Sequence, residues 1–429
     1  MVTLVSSCFI FTFNTISPLA SGASDKLVSN EIELREAVNN APTKKSFTIA
    51  LNNDITITES ALNIPANKHI TFTSNKATSS YKLIGTAYTT AQFMVGEVSV
   101  STIIVNGDSI LELDGISVTH AHNYWGHAVI VNEHGKLVLH RGLISSGIGG
   151  IYNSGTFLMY DGEISGNFAM NGGGVYSRGV FRMFGGKICD NSAATSGGGV
   201  YNEGTFEMLG GEISGNTAQN GGGIYNWGGA IGIEYNFSGD TREVIGYKDQ
   251  ASGSFTLLGG VISGNTAWRG GGVRNFGVFI MNDGLILGNT AAVSGGGVNN
   301  GDSIAMGTFE MSGGEISGNT AEKGGGVYNF FHSIVSLMGG GVISGNTAEL
   351  GGGVCIDSDF NMSGGVISGN IAQKGGGVYV GNGFFKTSGG KISGNKLKSV
   401  MMCMLKTVVL RQWVTKGLTM DLFLRALVV

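Results

Sequence analysis

The sequence predicts an all-β chain: a right-handed parallel β-helix, a three-strand solenoid of about 24 residues per coil, with a short N-terminal capping helix. Three observations carry that reading. One unit recurs from about residue 147 to residue 395, each unit holds three short apolar-alternating runs separated by glycines, and like residues recur in like slots.

Gly197 to Asn216 spells Gly-Gly-Gly-Val-Tyr-Asn-Glu-Gly-Thr-Phe-Glu-Met-Leu-Gly-Gly-Glu-Ile-Ser-Gly-Asn. Its closing asparagine returns at Asn167, Asn191, Asn216, Asn265, Asn289, Asn319, Asn346, Asn370 and Asn395, in steps of 24, 25, 49, 24, 30, 27, 24 and 25. The step of 49 is one unit carrying about 25 inserted residues. The runs Val-Tyr-Asn, Phe-x-Met and x-Ile-Ser are too short for helices. In Phe206-Glu207-Met208 the middle position varies freely between units (Leu158, Arg182, Thr256, Ile280, Asn361), while its neighbours stay mostly aromatic or Met. Alternation therefore turns Phe and Met inward. One unit alone has too little apolar surface to fold, so units must stack and pair each strand with its copy. Stacking gives files of like residues: Phe157, Phe181, Phe206, Phe255, Phe279 and Phe309, an Ile file, and an Asn file whose amides can hydrogen-bond along the axis. The triple glycines suit tight corners. The coil is too long for a hexapeptide solenoid, and the recurrent Asp of the calcium-binding nonapeptide roll is missing.

Residues 1–24 contain an apolar stretch and then small residues, as in a secretory signal lacking its positive leader. Residues 25–146 read as an N-terminal cap and opening coils. Asn30 and Glu33 form a capping box ahead of an apolar face of Leu34, Ala37 and Val38, and strand-like runs follow at Phe47–Leu51, His69–Thr73, Thr102–Val105, Ile110–Leu113, Ala128–Val131 and Leu137–Leu139. Residues 147–395 are the Gly-rich repeat with a loop insertion at 229–252. Residues 396–429, with one Gly, seven Leu and six basic residues, break the pattern and read as a frame-shifted or disordered tail. Lys406, Arg411 and Lys416 interrupt its apolar runs, so no membrane-spanning segment is expected in the mature chain.

Composition narrows the function classes. The 75 glycines with only 3 prolines, and no Gly at every third position, exclude collagen. A net charge of −4 without a basic stripe points away from nucleic acid. Cys8, Cys189, Cys355 and Cys403 show no CxxC spacing, and several coils separate Cys189 from Cys355, so neither zinc nor a disulfide is expected.

The units from Gly149 to Asn395, with Gly-Gly-Gly-Val-Tyr-Asn and Gly-Glu-Ile-Ser-Gly-Asn-Thr-Ala motifs, resemble the adhesin-like right-handed β-helix repeat proteins of bacterial and archaeal cell surfaces. More distantly they resemble the polymorphic outer-membrane adhesins and the pectin-lyase-like superfamily. The resemblance covers about 250 residues. It implies a secreted or cell-surface, outer-membrane or cell-wall-associated protein, and it leaves open lyases, hydrolases and non-enzymatic binders.

A polysaccharide lyase or glycoside hydrolase on this scaffold needs acids clustered on adjacent coils. Asp161 and Asp283 share a slot but lie too many coils apart, Asp190 stands alone, and Asp357 and Asp359 share one turn without a matching acid above. No catalytic residue, cofactor or metal site is assigned. His120, His122, His127, His134 and His140 crowd one span, but with no third ligand in view a polar turn is the expectation over a metal site. The repeat tolerates insertion at one corner only, after Val-Tyr-Asn: Asn202 to Phe206 is the usual gap, against Asn226 to Phe255 and Asn299 to Phe309, with a smaller excess after Asn329. Loops therefore project from a single edge, where solenoids build recognition faces. Trp227, Tyr235, Phe237, Tyr247, Phe276 and Phe330 are the candidate ligand-binding edge, able to stack on sugars or a protein partner or else to fold back over the coil. The expected function is adhesin-like presentation of that edge to a glycan or surface protein. An enzyme of the lyase or hydrolase kind and a passive spacer are the alternatives.

Overall fold

In the unit from Val200 to Asn220 the strands Val200–Asn202, Thr205–Met208 and Glu212–Ser214 occupy the three alternating runs, and a fourth, Thr217–Asn220, follows the closing asparagine. The alternation does not announce this fourth run, whose only apolar residue is Ala218. The computed structural model describes residues 24–75, 80–86, 101–121, 126–145, 147–228, 232–238, 241–248, 253–303, 306–331, 333–337 and 340–398. The secretory-signal reading and nearly all of the tail lie outside these residues, although Lys396–Leu397 still pairs with the coil before it.

Coils stack as a parallel β-solenoid of about 13 turns, with about 25 residues per turn. Pairing is in register: Val175 faces Val200, Phe181 faces Phe206, and Ile188 faces Ile213. Register survives the long insertion, since Phe206 pairs with Phe255 and Asn226 with Asn275. The Val-Tyr-Asn strands and their counterparts in the opening coils form one twelve-stranded sheet.

The interior is built of files. Phe157, Phe181, Phe206, Phe255, Phe279 and Phe309 are fully buried, with ring centroids 4.8, 4.5, 5.0, 4.6 and 4.9 Å apart. Val335 interrupts the file, which resumes with Phe360 and Phe385 at 5.5 Å. Beside it run Met159, Met183, Met208 and Leu257, and the Ile file from Ile164 to Ile367. The closing asparagines form a ladder. Asn191 Nδ2 donates to Asn216 Oδ1 at 3.0 Å and to Ile164 O at 2.8 Å, and the Asn191 backbone N–H donates to the same Asn216 oxygen at 3.0 Å. Asn216 repeats these bonds to Asn265 across the insertion. A second ladder joins Asn202, Asn226, Asn275, Asn300 and Asn329 through the Val-Tyr-Asn slot. These amides carry the polar load of an otherwise apolar core.

Gly197–Gly199 shows why each coil needs its glycine triplet. Gly197 has φ +68°, a left-handed conformation, and a Cβ on Gly198 would sit 2.5 Å from the Thr217 carbonyl oxygen.

The predicted capping helix spans Glu31–Asn40 and buries Leu34, Ala37 and Val38 against the first coil. Asn30 Oδ1 accepts from Glu33 N–H at 3.0 Å, and the Glu33 carboxylate reaches back to Ser29 N–H at 2.8 Å. The opening strands appear where the sequence places them, but Ile110–His120 and Lys136–Ser145 run through a corner that later coils break with glycine. The Arg141–Asp114 pair marks the bulge there.

Three histidines are tied by hydrogen bonds into the opening coils. Glu112 accepts from His140 at 2.7 Å and from His69 at 2.6 Å, and these bonds hold its carboxyl down at about 2. His134 sits in a turn with φ +63°. His120 is buried and bonds Thr102 Oγ1 at 3.1 Å, and His127 is half-buried. His122 and residues 123–125, read from the sequence as a polar turn, lie outside the described residues. Burial, helped by the neighbouring His120, pulls His127 down to about 4. Between that value and its unfolded pKa near 6.5, the unfolded chain holds a proton that the folded chain refuses, so stability is lost as the pH is lowered through that window. Unfolding by urea at pH 7 and pH 5 should show a loss of about 2 kcal/mol from this residue. His127→Leu should remove that part of the difference; an unchanged difference contradicts the assignment.

Candidate functional site at the loop-bearing corner

The corner after the second asparagine ladder is where coils differ in length. In the regular coil, Glu203 turns it, held by Tyr176 Oη at 3.0 Å and Arg178 at 3.2 Å. After Asn226 the insertion includes an antiparallel hairpin, Gly232–Ser238 with Thr241–Lys248, whose backbone contains Tyr235, Phe237 and Tyr247. The next long corner opens at Asn300, the residue in register with Asn275, rather than at Asn299, which takes the tyrosine slot.

The outward slot of the Val-Tyr-Asn face is a stack of rings. Tyr152, Tyr176, Tyr201 and Tyr225 follow one another at 5.2, 4.7 and 5.0 Å. Arg274 and Asn299 then replace two rings before Tyr328 restores the file. Trp227 is half-buried and meets Phe276 edge-on at 5.6 Å. Phe276 itself does not reach solvent, a correction to its place on the exposed edge. It is 3% exposed because Arg274 lies over its ring at 4.7 Å and Tyr225 packs beside it. Phe330 is half-buried against Tyr328, at 5.9 Å.

One cleft crosses the Val-Tyr-Asn face to this corner and a second lies on the corner itself. The first, of about 190 Å³, is lined by residues including Arg269, Arg274, Asn299, Asp302, Lys323 and Phe330. Arg274 Nη2 donates to Asp302 at 2.8 Å; burial pulls the guanidinium below its ordinary range while Asp302 opposes the shift. The second, of about 330 Å³, lies on later coils between Phe331 and Phe384, with Asp357, Ser358, Asp359 and Asn382 on its walls. Phe331 is 50% exposed and Phe384 52%. Tyr328 Oη donates to Asp357 at 2.6 Å, and burial with that carboxylate keeps the phenol protonated well above its usual range.

Sequence reasoning thus located the corner but missed most of what lines it. Arg274 and Asn299 were readable as departures from Val-Tyr-Asn, whereas Phe331 and Phe384 stand out only once their exposure is known. Among the described residues no group of three or more His, Cys, Asp or Glu is placed to hold a metal, and no helix is long and apolar enough to cross a membrane. Compared with known proteins, the chain matches no family model, no curated protein and no solved structure.

Proposed function

We propose that this chain is a secreted or cell-surface binding protein of the adhesin-like kind, whose β-helix presents its loop-bearing corner to a glycan. One observation carries the reading: the larger cleft falls on the corner that varies in length and pairs half-exposed phenylalanine rings with carboxylates. Ring faces take the C–H face of a sugar, and Asp357, Asp359 and Asn382 offer acceptors for its hydroxyls. The files of the interior make the rod stiff, which suits display away from a surface.

A glycan array with the whole chain tests this. Phe384→Ala should weaken the best ligand by about 3–10-fold, the worth of one ring contact. Release of uronate or reducing ends from pectin and related polymers, abolished by Asp357→Asn or Asp359→Asn, would instead make the protein an enzyme. Binding of nothing, with deletion of residues 229–252 altering no interaction, would favour a passive spacer.

A further inference from the structure

The solenoid is closed at one end and open at the other. At the start the helix Glu31–Asn40 packs Leu34 and Val38 onto the first coil. In the last described coil the strands Val378–Val380, Phe385–Thr387, Lys391–Ser393 and Lys396–Leu397 pair, among the described residues, only with the coil before them. Slots that are sealed elsewhere meet solvent here. Ile392 is 45% exposed, whereas the Ile file from Ile164 to Ile367 is fully buried. Leu397, in the inward slot of Ala372, is 67% exposed. Val378, Val380 and Phe385 are half-buried, while Val354, Ile356 and Phe360 beneath them are fully buried.

The backbone is open as well. One coil earlier, Gly351, Gly352, Gly353 and Val354 donate their N–H groups to the carbonyls of Lys374, Gly375, Gly376 and Gly377. The equivalent donors, Gly375 to Val378, have no described coil beyond them. Nor has the Asn395 N–H, whose counterpart on Asn370 donates to Asn395 Oδ1 at 3.0 Å. Such an edge invites pairing with further chain, and an apolar end coil needs a cap.

Residues 399–429, which lie outside the described residues, follow at once. Of these 31 residues 20 are apolar, against 42% in the whole chain, and one turn of the solenoid takes only about 25. Two apolar surfaces joined without a linker bury each other at an effective concentration of about millimolar or higher. A second copy fits this end less well. Lys386, Lys391, Lys396 and Lys398 are exposed and residues 360–398 contain no acid, so end-to-end contact sets cation against cation. A lipid surface fits less well too, because acyl chains offer the N–H groups no acceptor.

We infer that residues 399–429 dock on the open coil and cap the solenoid, with apolar side chains on Ile392 and Leu397 and backbone carbonyls on the Gly375 to Val378 donors.

Hydrogen exchange of the whole chain, resolved to single residues, tests this. The amides of Gly375 to Val378 and of Asn395 should be protected while sedimentation shows a monomer. Changing Leu405→Asp, Leu410→Asp and Trp413→Asp together should speed their exchange by at least about tenfold, as for the loss of one buried side chain. The strand Val200–Asn202 and the helix Glu31–Asn40 should keep their protection, showing that the rod still folds. From the other side, Ile392→Asp should open Trp413 to acrylamide quenching, read as the difference from the same chain carrying Trp413→Phe. Unprotected end amides, protection that the triple variant leaves unchanged, or quenching of Trp413 that Ile392→Asp does not alter overturns the inference. Protection that appears only as a dimer forms assigns the end to a second copy, and protection that appears only with phosphatidylserine vesicles assigns it to a membrane; either result also overturns it.

Discussion

Replacing Phe206 with alanine should destabilise the solenoid by roughly 3–5 kcal/mol, as for other fully buried aromatic truncations. The ring is stacked at 4.5 Å on Phe181 and 5.0 Å on Phe255, and no solvent reaches any of the three. Relaxation into the hole is limited because backbone ladders pin the strands on both sides at about 4.8 Å spacing. Stability in such an array is a sum over coils and their interfaces, so the damage should be local. Hydrogen exchange should show lost protection in the coils around Phe206, with the capping helix Glu31–Asn40 unaffected. Glu207→Ala, one residue along and facing out, should change stability by no more than about 0.5 kcal/mol. A loss for Phe206→Ala no larger than for Glu207→Ala would mean that the file does not hold the coils together.

Asn216→Leu should cost about as much, although it enlarges the apolar core. The amide accepts the Asn191 backbone N–H and side-chain Nδ2, and donates to Ile188 O and Asn265 Oδ1. Leucine strands the Asn191 N–H without water, at about 1–3 kcal/mol, removes the second donor to the Ile188 carbonyl and must overpack a filled core at about 1–3 kcal/mol more. The second ladder gives the contrast. At Ser177 a hydroxyl replaces the amide, still accepting from Asn153 at 3.1 Å, so Ser177→Asn should be nearly neutral in the same urea titration. If Asn216→Leu proves neutral too, the ladder is packing alone.

The fold was legible because neighbouring coils put like side chains opposite one another, so the register of Phe181 on Phe206 could be read as a repeat. The step of 49 between Asn216 and Asn265 was readable as an insertion for the same reason, and those two asparagines are direct partners. The fourth strand was not legible because a lone inward alanine gives no alternation. Whether an aromatic after the asparagine faces in or out depends on the residue two before it. Arg274 covers Phe276 and holds it in, whereas the partner at Tyr328 leaves Phe330 half-exposed. The clefts depend on contacts between coils, which one coil's sequence does not contain.

Engineered disulfides give the most direct test of the stacking itself. With the four native cysteines replaced by serine, Glu207→Cys and Thr256→Cys should oxidise readily to a bond, although 49 positions apart in the chain, because these residues are register partners on adjacent strands. Glu207→Cys with Ile280→Cys, one coil further and so about 9.6 Å away, should not. Bonding of the second pair, or failure of the first in folded protein, would contradict the account.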